Sequence, residues 1–572
     1  MQQYWAERVG ASQFGIPGSA LPSAVLTYDL NGPVNGKPGW YAPDKNNWAP
    51  RVALAYNPDN KDGLFGKILG TGSVFRAGAG IAYDRFGSDL VTEFDRTGSP
   101  GLASQVTQPA NTDFSTAARY SGGALPTLPA APNARFPFTP PVIVGGFNSQ
   151  VGIASDLRTP YAYLLNASFA RQMPGKLTVE VGYVGRMAHK QLMQLDTFQP
   201  LTQFKDQKSG QTWAQASGIL YDLYLKGVTP AQVRANPSLA GTVPFFENMF
   251  PGLTNLYQPG NATANYYNAL YDQNAGSDLD ALNQMDRERS TQFPNCISAL
   301  GCNTFFPMQN AGNRTWMNVG RGSFHGGTLT VRRALQNGFS FDFNYTLSHS
   351  LDYSSAPESG AGNGGAIVQD SFNARAFRGS SDFDSRHQIN ANGLYLLPFG
   401  KGKKFLSNAN GFVNNVLGGW EVSMLMRYRS GLPTTITNGG YYPTNYLTSS
   451  IAVIKPGSPA PESGVGYDQR GVPSIFRNTS AINNYVGQYP GSTGTRAILR
   501  LAGMTNFDIN LAKRFFLPFE GHSLQFRVEA FNAFNNVNFF NPSLSLTTPA
   551  TFGQFQSAMS PRVVQLALRY EF

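Results

Sequence analysis

The chain has 572 residues, of which 41% are hydrophobic, 13% aromatic and only 14% charged, and it contains 61 glycines. An ordinary soluble domain has about 25% charged residues, so this composition disfavours a set of ordinary soluble domains. The net charge is +10, yet no block of five or six basic residues is present, which disfavours nucleic acid as a partner. Contact with anionic lipid headgroups, or a barrel lumen suited to anions, explains the excess of positive charge at least as well as nucleic-acid binding does.

Two features of the sequence argue at first against a membrane protein of the outer envelope. No run of 18 or more apolar residues is present, and Met1 to Trp5 show neither the basic nor the apolar region of a signal peptide. However, strands that cross a membrane alternate in polarity and do not stand out in a hydropathy window. We expect that the N-terminal part of the protein is missing from this chain, which would account for the absent signal peptide.

Eleven segments alternate between apolar and polar side chains with the period of two that is typical of β-strands. In chain order they are residues 51–57, 73–84, 161–171, 176–186, 326–334, 338–349, 387–396, 418–429, 505–514, 523–532 and 562–572. The last is the clearest, because every second residue from Val564 to Phe572 is apolar over about ten residues, the length of a tilted strand that crosses a bilayer. In 338–349 five large apolar residues share a face, which suits lipid or the core of a sandwich.

The connections between these segments alternate strictly between comparatively short and long. The short ones are 58–72, 172–175, 335–337, 397–417 and 515–522, and the long ones are 85–160, 187–325, 350–386, 430–504 and 533–561. Outer-membrane barrels have short periplasmic turns and long extracellular loops, whereas a soluble sandwich has no reason to alternate in this way. The pattern predicts an all-β, antiparallel transmembrane β-barrel over 51–572, with large extracellular loops at 85–160, 187–325 and 430–504. Residues 1–50 are predicted to be an extracellular loop or the end of a preceding strand.

The loop 187–325 shows two further features. Residues Trp213 to Lys226 carry apolar side chains at helical spacing, so this part is predicted to be a helix. The loop also contains the only two cysteines, Cys296 and Cys302, whose spacing does not fit a zinc site. We predict a disulfide between them in an oxidising compartment, and two free thiols in a reducing one remain the alternative.

Polar residues on the predicted strands are candidates for the barrel lumen, where they would support the structure or hold a plug. They are Glu180, Asp342, Asn344, Arg427, Asp508, Arg527 and Glu529. No sequence motif of a hydrolase, a metalloprotease or a nucleotide-binding protein is present, so we expect no catalytic residue, no metal site and no cofactor. The acidic residues Asp278, Asp280, Asp286 and Glu288 lack the spacing of a calcium loop, and a solvated loop face is the predicted role.

Several segments resemble the C-terminal half of the Oar-like TonB-dependent receptors, from residue 50 to the end of the chain. They are Pro50-Arg51 with Arg76–Arg85, Ser381–His387, Leu397–Lys403, Leu417–Trp420, Ser430–Pro433, Phe531–Asn535 and Pro561–Phe572. Each motif is weak alone, but their order along the chain is specific. The resemblance implies a structural role for Asp382, Asp384, Arg386 and His387, at the point where a loop leads into a strand. The alternative is that these residues form a catalytic or metal site.

The resemblance also implies an architecture and partners. Members of this family combine a carboxypeptidase-regulatory-like domain and a plug with a barrel that resembles the 22-stranded transporters. Eleven strands are about half of such a barrel, so we expect a fragment from which both other domains are missing. The implied partners are outer-membrane lipid, the barrel-assembly machinery, and the energy-coupling TonB system through the missing plug. Phe572, Tyr570 and Leu568 would form the assembly signal, because barrels of this kind commonly end in a recognised aromatic residue.

The sequence therefore predicts an outer-membrane receptor or transporter that takes up an unidentified large nutrient. A surface-structural or adhesive barrel, which binds partners through its loops without import, is the alternative of a different class. A secreted enzyme ranks third, since no catalytic constellation is present.

Overall fold

The computed structural model describes residues 27–39, 41–58, 63, 70, 72–84, 135–139, 149–286, 297–307, 309, 312–355, 367–439, 442–460 and 462–572. Its strands are β1 Arg51–Tyr56, β2 Ser73–Tyr83, β3 Ser149–Ile153, β4 Tyr161–Met173, β5 Leu177–Asp196, β6 Gly312–Gln336, β7 Phe339–Asp352, β8 Gly379–Ser380, β9 His387–Leu396, β10 Trp420–Arg429, β11 Pro433–Thr434, β12 Val453–Ile454, β13 Ser463–Tyr467, β14 Pro473–Phe476, β15 Tyr485–Val486, β16 Leu499–Arg500, β17 Met504–Phe516, β18 Ser523–Phe531 and β19 Val563–Glu571. Its α-helices are α1 Trp213–Leu225, α2 Pro230–Ala235, α3 Pro244–Met249, α4 Ala262–Asn268, α5 Asp278–Asp286 and α6 Gly411–Leu417. In the described parts of the chain, no helix is both long and apolar enough to cross a membrane.

Eleven long strands form one continuous antiparallel sheet in the order β1-β2-β4-β5-β6-β7-β9-β10-β17-β18-β19. Each strand pairs with the next long strand along the chain, which is the up-and-down order of a barrel wall. All eleven predicted strands are confirmed, although their ends differ in places. Among the described residues, β1 and β19 each pair on one side only, so the sheet is open.

The register of the strands gives the sheet two chemically different faces, because residues opposite one another on paired strands lie on the same face. One row on the polar face runs through Glu180, Thr330, Asn344, Asn390, Arg427 and Asn506. A row on the apolar face runs through Tyr56, Phe75, Phe169, Val181, Leu329, Tyr345, Ile389 and Tyr428. The amphipathic alternation seen in single strands therefore extends coherently across the sheet.

The connections at the two ends of the sheet differ in length, as predicted. One end carries the short connections, of which the tightest is the two-residue turn between β6 and β7. Both of its residues, Asn337 and Gly338, have positive φ values of 55° and 78°. A type I′ turn requires this conformation, and asparagine and glycine adopt it with the least strain. We call this end the short-turn end and the opposite end the long-loop end.

The strands β5 and β6 are longer than the sequence pattern predicts. They span Leu177–Asp196 and Gly312–Gln336, whereas the predicted segments were 176–186 and 326–334. Register shifts between His189 and Gln191, and again before Met193, interrupt the period of two, and glycines weaken the strand signal of β6. The connection between them is therefore 197–311 rather than 187–325. About ten residues cross a bilayer, so both strands continue beyond the apolar face at the long-loop end.

The connection between β5 and β6 folds into a helical subdomain with its own core. The helix α1 confirms the predicted helix, and Thr212 and Gln215 form a capping box at its start. The Trp213 indole is fully buried and donates a hydrogen bond to the Tyr266 hydroxyl at 2.9 Å, while the Tyr266 ring stacks on Phe246. The fully buried residues of this core all come from the connection itself, and its aromatic residues contribute much of the buried apolar area.

The acidic residues of this subdomain are not the solvated face that the sequence predicted. The Asp286 carboxylate is fully buried and accepts hydrogen bonds from the backbone N–H groups of Thr304, Phe305 and Phe306. Asp278 is also buried, and Asp280 accepts a hydrogen bond from the Tyr446 hydroxyl. The prediction was wrong because these carboxylates hold turns and neighbouring segments together, while Glu288 lies outside the described residues.

A second apolar core lies in the connections between β10 and β17 and between β18 and β19. Ile436, Phe476, Tyr485 and Phe552 are buried in it, and the rings of Phe476 and Phe552 stack with centroids 5.5 Å apart. The short strands β11 to β16 pair two by two within this region. The long-loop end is therefore covered by folded structure.

Candidate functional site

The seven predicted lumen residues all lie on the polar face of the sheet. They are distributed over β5, β7, β10, β17 and β18, so they form a wall and do not converge on one point. Their contacts are mostly local: Arg332 Nε lies 2.6 Å from Asp342 Oδ2, and Arg527 lies 3.4 Å from Glu529. The polar face therefore presents charges of both signs, partly paired along the surface.

A shallow groove of about 700 Å³ follows the polar face over β1, β2, β4 and β5. Arg51, Arg76 and Glu180 line it, and glycines on this face leave it open. At Gly182 an added Cβ atom would lie 2.6 Å from the Thr328 hydroxyl oxygen, so a larger residue would force Thr328 to move. The groove places the predicted residue Glu180 in a concave, charged part of the wall.

A cavity of about 640 Å³ lies among the connections at the long-loop end, and we call it the rim cavity. Its lining combines hydroxyl and amide groups with apolar side chains, namely Gln369, Thr434, Thr435, Thr437, Ser449, Asn541, Ile367, Phe377, Leu432, Ile451 and Leu501 among others. Of the described residues that line it, only Asp382 and Arg496 are charged, and they lie 3.2 Å apart. A cavity with several convergent polar groups on an apolar wall is typical of a ligand site.

Arg496 connects the rim cavity to the sheet. Its guanidinium lies 2.7 Å from the carboxylate of Asp352, the last residue of β7. The arginine side chain is only 7% exposed. Asp352 pairs with Gly322 of β6 and continues the polar face at its rim. The cavity and the polar face therefore share one buried ion pair.

A second ion cluster surrounds Asp384, whose side chain is completely buried. Arg500 lies 2.5 Å, His349 3.2 Å and Arg386 3.5 Å from its Oδ2 atom. Burial raises the pKa of Asp384, but the hydrogen bonds from Arg500, the Ser350 backbone and His349 outweigh it and hold the pKa below its ordinary value. Arg500 is the last residue of β16 and Asp384 lies just before β9, so the cluster joins the connection between β10 and β17 to the connection between β7 and β9.

We predict that Asp384→Asn lowers the free energy of unfolding by about 2 kcal/mol. A charge-assisted bond is worth about 1.5–3 kcal/mol, and the arginine partners are partly exposed, which limits the cost of leaving them unpaired. Because the folded-state pKa is depressed, the stabilisation is present above the pKa of the unfolded state and is lost as the pH falls through the folded value. Denaturation curves are measured between about pH 3 and pH 7, a range in which an aspartate titrates. The difference in the free energy of unfolding between the unmodified protein and Asp384→Asn should shrink at low pH. A constant difference would contradict this account.

The contacts support the structural role predicted for Asp382, Asp384, Arg386 and His387. His387 Nδ1 lies 2.8 Å from the Tyr345 hydroxyl on the neighbouring strand. Sequence reasoning missed Arg496 and Arg500, the residues that complete both ion clusters. They lie 114 and 116 positions after Asp382 and Asp384 respectively, so no local pattern could have paired them.

Two groups of predicted site residues lie apart from these clusters. Cys302 lies in a turn and is disulfide-bonded, but Cys296 lies outside the described residues, so the pairing itself stays a prediction. Leu568, Tyr570 and Phe572 lie at the short-turn end, on the apolar face of the edge strand β19 and just after it. Tyr570 contacts His522 through its hydroxyl, and Phe572 is 90% exposed. Their role as an assembly signal stays a prediction.

The family model described as "Outer membrane beta barrel domain" matches residues 6–565, which is nearly the whole chain. The chain belongs to this outer-membrane β-barrel family. The predicted fold class and the predicted location in the outer membrane are thereby confirmed, and they agree with the two-faced antiparallel sheet. The comparison with curated proteins finds no match for this chain.

Solved outer-membrane transporters are similar to the chain at low identity. The transporter YddB from Escherichia coli is 9% identical over 89% of this chain and 39% of its own, with a TM-score of 0.33. The ferric enterobactin receptor of Pseudomonas aeruginosa is 9% identical over 92% of this chain and 41% of its own, with a TM-score of 0.36. The ferripyoverdine receptor of Pseudomonas aeruginosa is 9% identical over 92% of this chain and 33% of its own, with a TM-score of 0.32. The chain thus spans about two fifths or less of these proteins' lengths, and such low TM-scores give no weight to what they bind.

Proposed function

We propose that this protein is the barrel portion of an Oar-like TonB-dependent receptor, which captures a large nutrient at its loops and imports it. The observation that carries the proposal is the sheet with one apolar and one polar face, joined through Arg496 to a folded cavity at the long-loop end. An adhesive barrel needs the apolar face and the loops, but it needs no cavity connected to a polar wall.

In this proposal each part of the structure has a transport role. The apolar face contacts lipid, because burying apolar side chains away from water is favourable. The long-loop end faces the cell exterior, and the rim cavity receives the ligand there. The polar face lines the route inward, where Glu180, Asp342, Asn344, Arg427, Asp508, Arg527 and Glu529 contact a plug or the passing ligand. The described residues have no catalytic role in this account.

The proposal includes partners beyond the chain itself. The barrel-assembly machinery would insert the protein into the outer membrane, and outer-membrane lipid would surround it. A plug domain would close the lumen and couple import to the TonB system, since a wide barrel without one would be an open channel. Energy coupling is therefore the property that separates this function from adhesion.

The proposal predicts that filling the rim cavity abolishes import. Ser449 lines the cavity and is exposed, so its side chain can be enlarged without disturbing a buried contact. The indole of Ser449→Trp should fill the cavity. Cells with the intact gene and cells without it are incubated in a complex medium, and mass spectrometry identifies the solutes that only the former deplete. We expect Ser449→Trp to reduce this depletion by at least about tenfold, which corresponds to a loss of about 1.4 kcal/mol of binding.

The matched control is Ser238→Trp, which enlarges another exposed serine, one that lies in the helical subdomain and does not line the cavity. It should deplete the same solutes at the rate of the unmodified protein. Dissipating the proton-motive force should stop the depletion in all strains. If the solutes bind to the cell surface without being taken up, and this binding does not require energy, the result would contradict import and favour adhesion.

A further inference from the structure

A second cavity, of about 610 Å³, lies at the long-loop end of β5 and β6, and its charged lining is entirely cationic. Lys190, Arg321 and Arg375 line it together with His189, and all three long basic side chains are exposed. Among the described residues, no acidic side chain contributes to this lining. Like charges at close range repel one another, so such a cavity is most stable with an anion in it. We call it the cationic cavity.

The register places the cationic cavity where the apolar face ends. His189 is opposite both Tyr161 and Arg321, and this row continues the apolar face. Toward the short-turn end, Tyr163 is the next residue of this face on β4, and Tyr183 lies six residues before His189 on β5. The Tyr183 hydroxyl is 2.7 Å from His325 Nδ1. Tyrosines on a membrane-facing surface mark the headgroup level, because the ring is apolar and the hydroxyl is polar. The cavity therefore opens at the height of lipid headgroups.

The backbone presents Lys190 to this cavity by an irregularity in β5. Lys190 lies in the register shift between His189 and Gln191 and has a φ of 54°, which is unusual for a residue other than glycine. Asn318 Nδ2 donates a hydrogen bond of 2.7 Å to the Lys190 carbonyl, and the ammonium lies 5.7 Å from the centroid of the Tyr161 ring. Bulges of this kind re-aim a side chain, and here the bulge adds a third cation to the two arginines.

We propose that the cationic cavity binds the phosphate group of a glycolipid of the outer leaflet. Guanidinium groups bind phosphate with two parallel hydrogen bonds, and lysine adds a point charge. The position at the edge of the apolar face favours a phosphate attached to a membrane-anchored molecule over one free in solution. The proposal rests on the proposed orientation of the barrel, with the long-loop end outside, but not on which nutrient is imported.

The test compares two triple variants of the protein, purified in detergent. Lys190→Gln/Arg321→Gln/Arg375→Gln removes the three cations of the cavity. Lys401→Gln/Lys403→Gln/Lys404→Gln removes three exposed cations at the short-turn end and is the matched control. The probes are a diphosphorylated lipid A, the same lipid after dephosphorylation, and inorganic phosphate, with binding followed by native mass spectrometry. Circular dichroism confirms that both variants retain their strand content.

We expect the cavity variant to bind the diphosphorylated lipid about 100-fold more weakly than the unmodified protein. Each Lys or Arg near an anionic membrane surface contributes about 1 kcal/mol, and the total of about 3 kcal/mol for three cations corresponds to about two factors of ten in affinity. The unmodified protein should bind the dephosphorylated lipid and inorganic phosphate weakly. The control variant and Ser449→Trp should both bind the phosphorylated lipid normally. The last comparison separates this proposal from that of import, because the cavity filled by Ser449→Trp is a different one.

Three results would overturn the proposal. Normal binding by the cavity variant would show that the lipid contacts another surface. An equal loss in the control variant would show a general effect of charge. Inorganic phosphate bound as tightly as the lipid, with the same loss in the cavity variant, would identify a site for free phosphate.

Discussion

Replacing Phe343 by arginine should destabilise the membrane-inserted protein by about 2–4 kcal/mol, the cost of a charge on the lipid face of a barrel near the bilayer midplane. Phe343 is the middle one of the five alternate apolar residues from Phe339 to Leu347 on β7, and it lies between Val331 and Ala391 on the neighbouring strands. Neither of these two neighbours offers a partner for a guanidinium, so the charge must be stabilised by distortion of the strand or of the bilayer. Unfolding by guanidinium chloride in lipid vesicles measures the change.

The matched control for Phe343 is Thr346, which lies on the polar face of the same strand. Thr346 is opposite Thr328 and Gln388, so an arginine there has polar neighbours and, in the proposed barrel, water. We expect Thr346→Arg to change the free energy of unfolding by no more than about 0.5 kcal/mol. Equal costs at the two positions would contradict the assignment of the faces.

Replacing Trp213 by alanine should unfold the helical subdomain locally while leaving the sheet intact. The side chain is fully buried, and its loss leaves a large cavity and removes a hydrogen-bond donor to the Tyr266 hydroxyl. Replacing a buried tryptophan by alanine costs about 3–5 kcal/mol. Hydrogen exchange of the amides in 213–286 should accelerate by about two to three orders of magnitude, since each 1.4 kcal/mol is a factor of about ten.

The control for Trp213 is Ile219, on the same helix α1 but 46% exposed. Ile219→Ala should change exchange in this segment by no more than about threefold, because exposed substitutions usually stay within about 0.5 kcal/mol. Amides of β9 and β10 should exchange at unchanged rates in both variants. Faster exchange across the sheet after Trp213→Ala would show that the subdomain and the sheet unfold together.

The sequence was sufficient to predict the strands that cross the sheet, because their amphipathic pattern is local. The alternation from Phe339 to Leu347 reports directly which side chains share a face, and the register confirms that this face is apolar in the neighbouring strands as well. The helix α1 was predictable for the same reason, since helical periodicity is also local. Family membership then followed from the fold and the family model.

The features that the sequence could not show depend on distant contacts. The extension of β5 beyond His189 proceeds through bulges that only pairing with β6 stabilises. The buried position of Asp286 arises because three backbone N–H groups at 304–306 require an acceptor. The ion pair between Arg496 and Asp352 joins residues 144 positions apart. A local pattern carries no information about such partners, so the rim of the barrel was predicted less well than its wall.

The measurement that tests the central claim most directly is the accessibility of spin labels along β7. Single cysteines replace each residue from 339 to 347 in turn, with Cys296 and Cys302 replaced by serine, and the labelled proteins are reconstituted in lipid vesicles. Electron paramagnetic resonance then compares relaxation by oxygen, which concentrates in lipid, with relaxation by a water-soluble nickel complex. We expect oxygen to dominate at the odd positions, including Phe343 and Tyr345, and nickel to dominate at the even ones, including Thr346. Labels with the same accessibility at odd and even positions would contradict a sheet that has lipid on one face and water on the other.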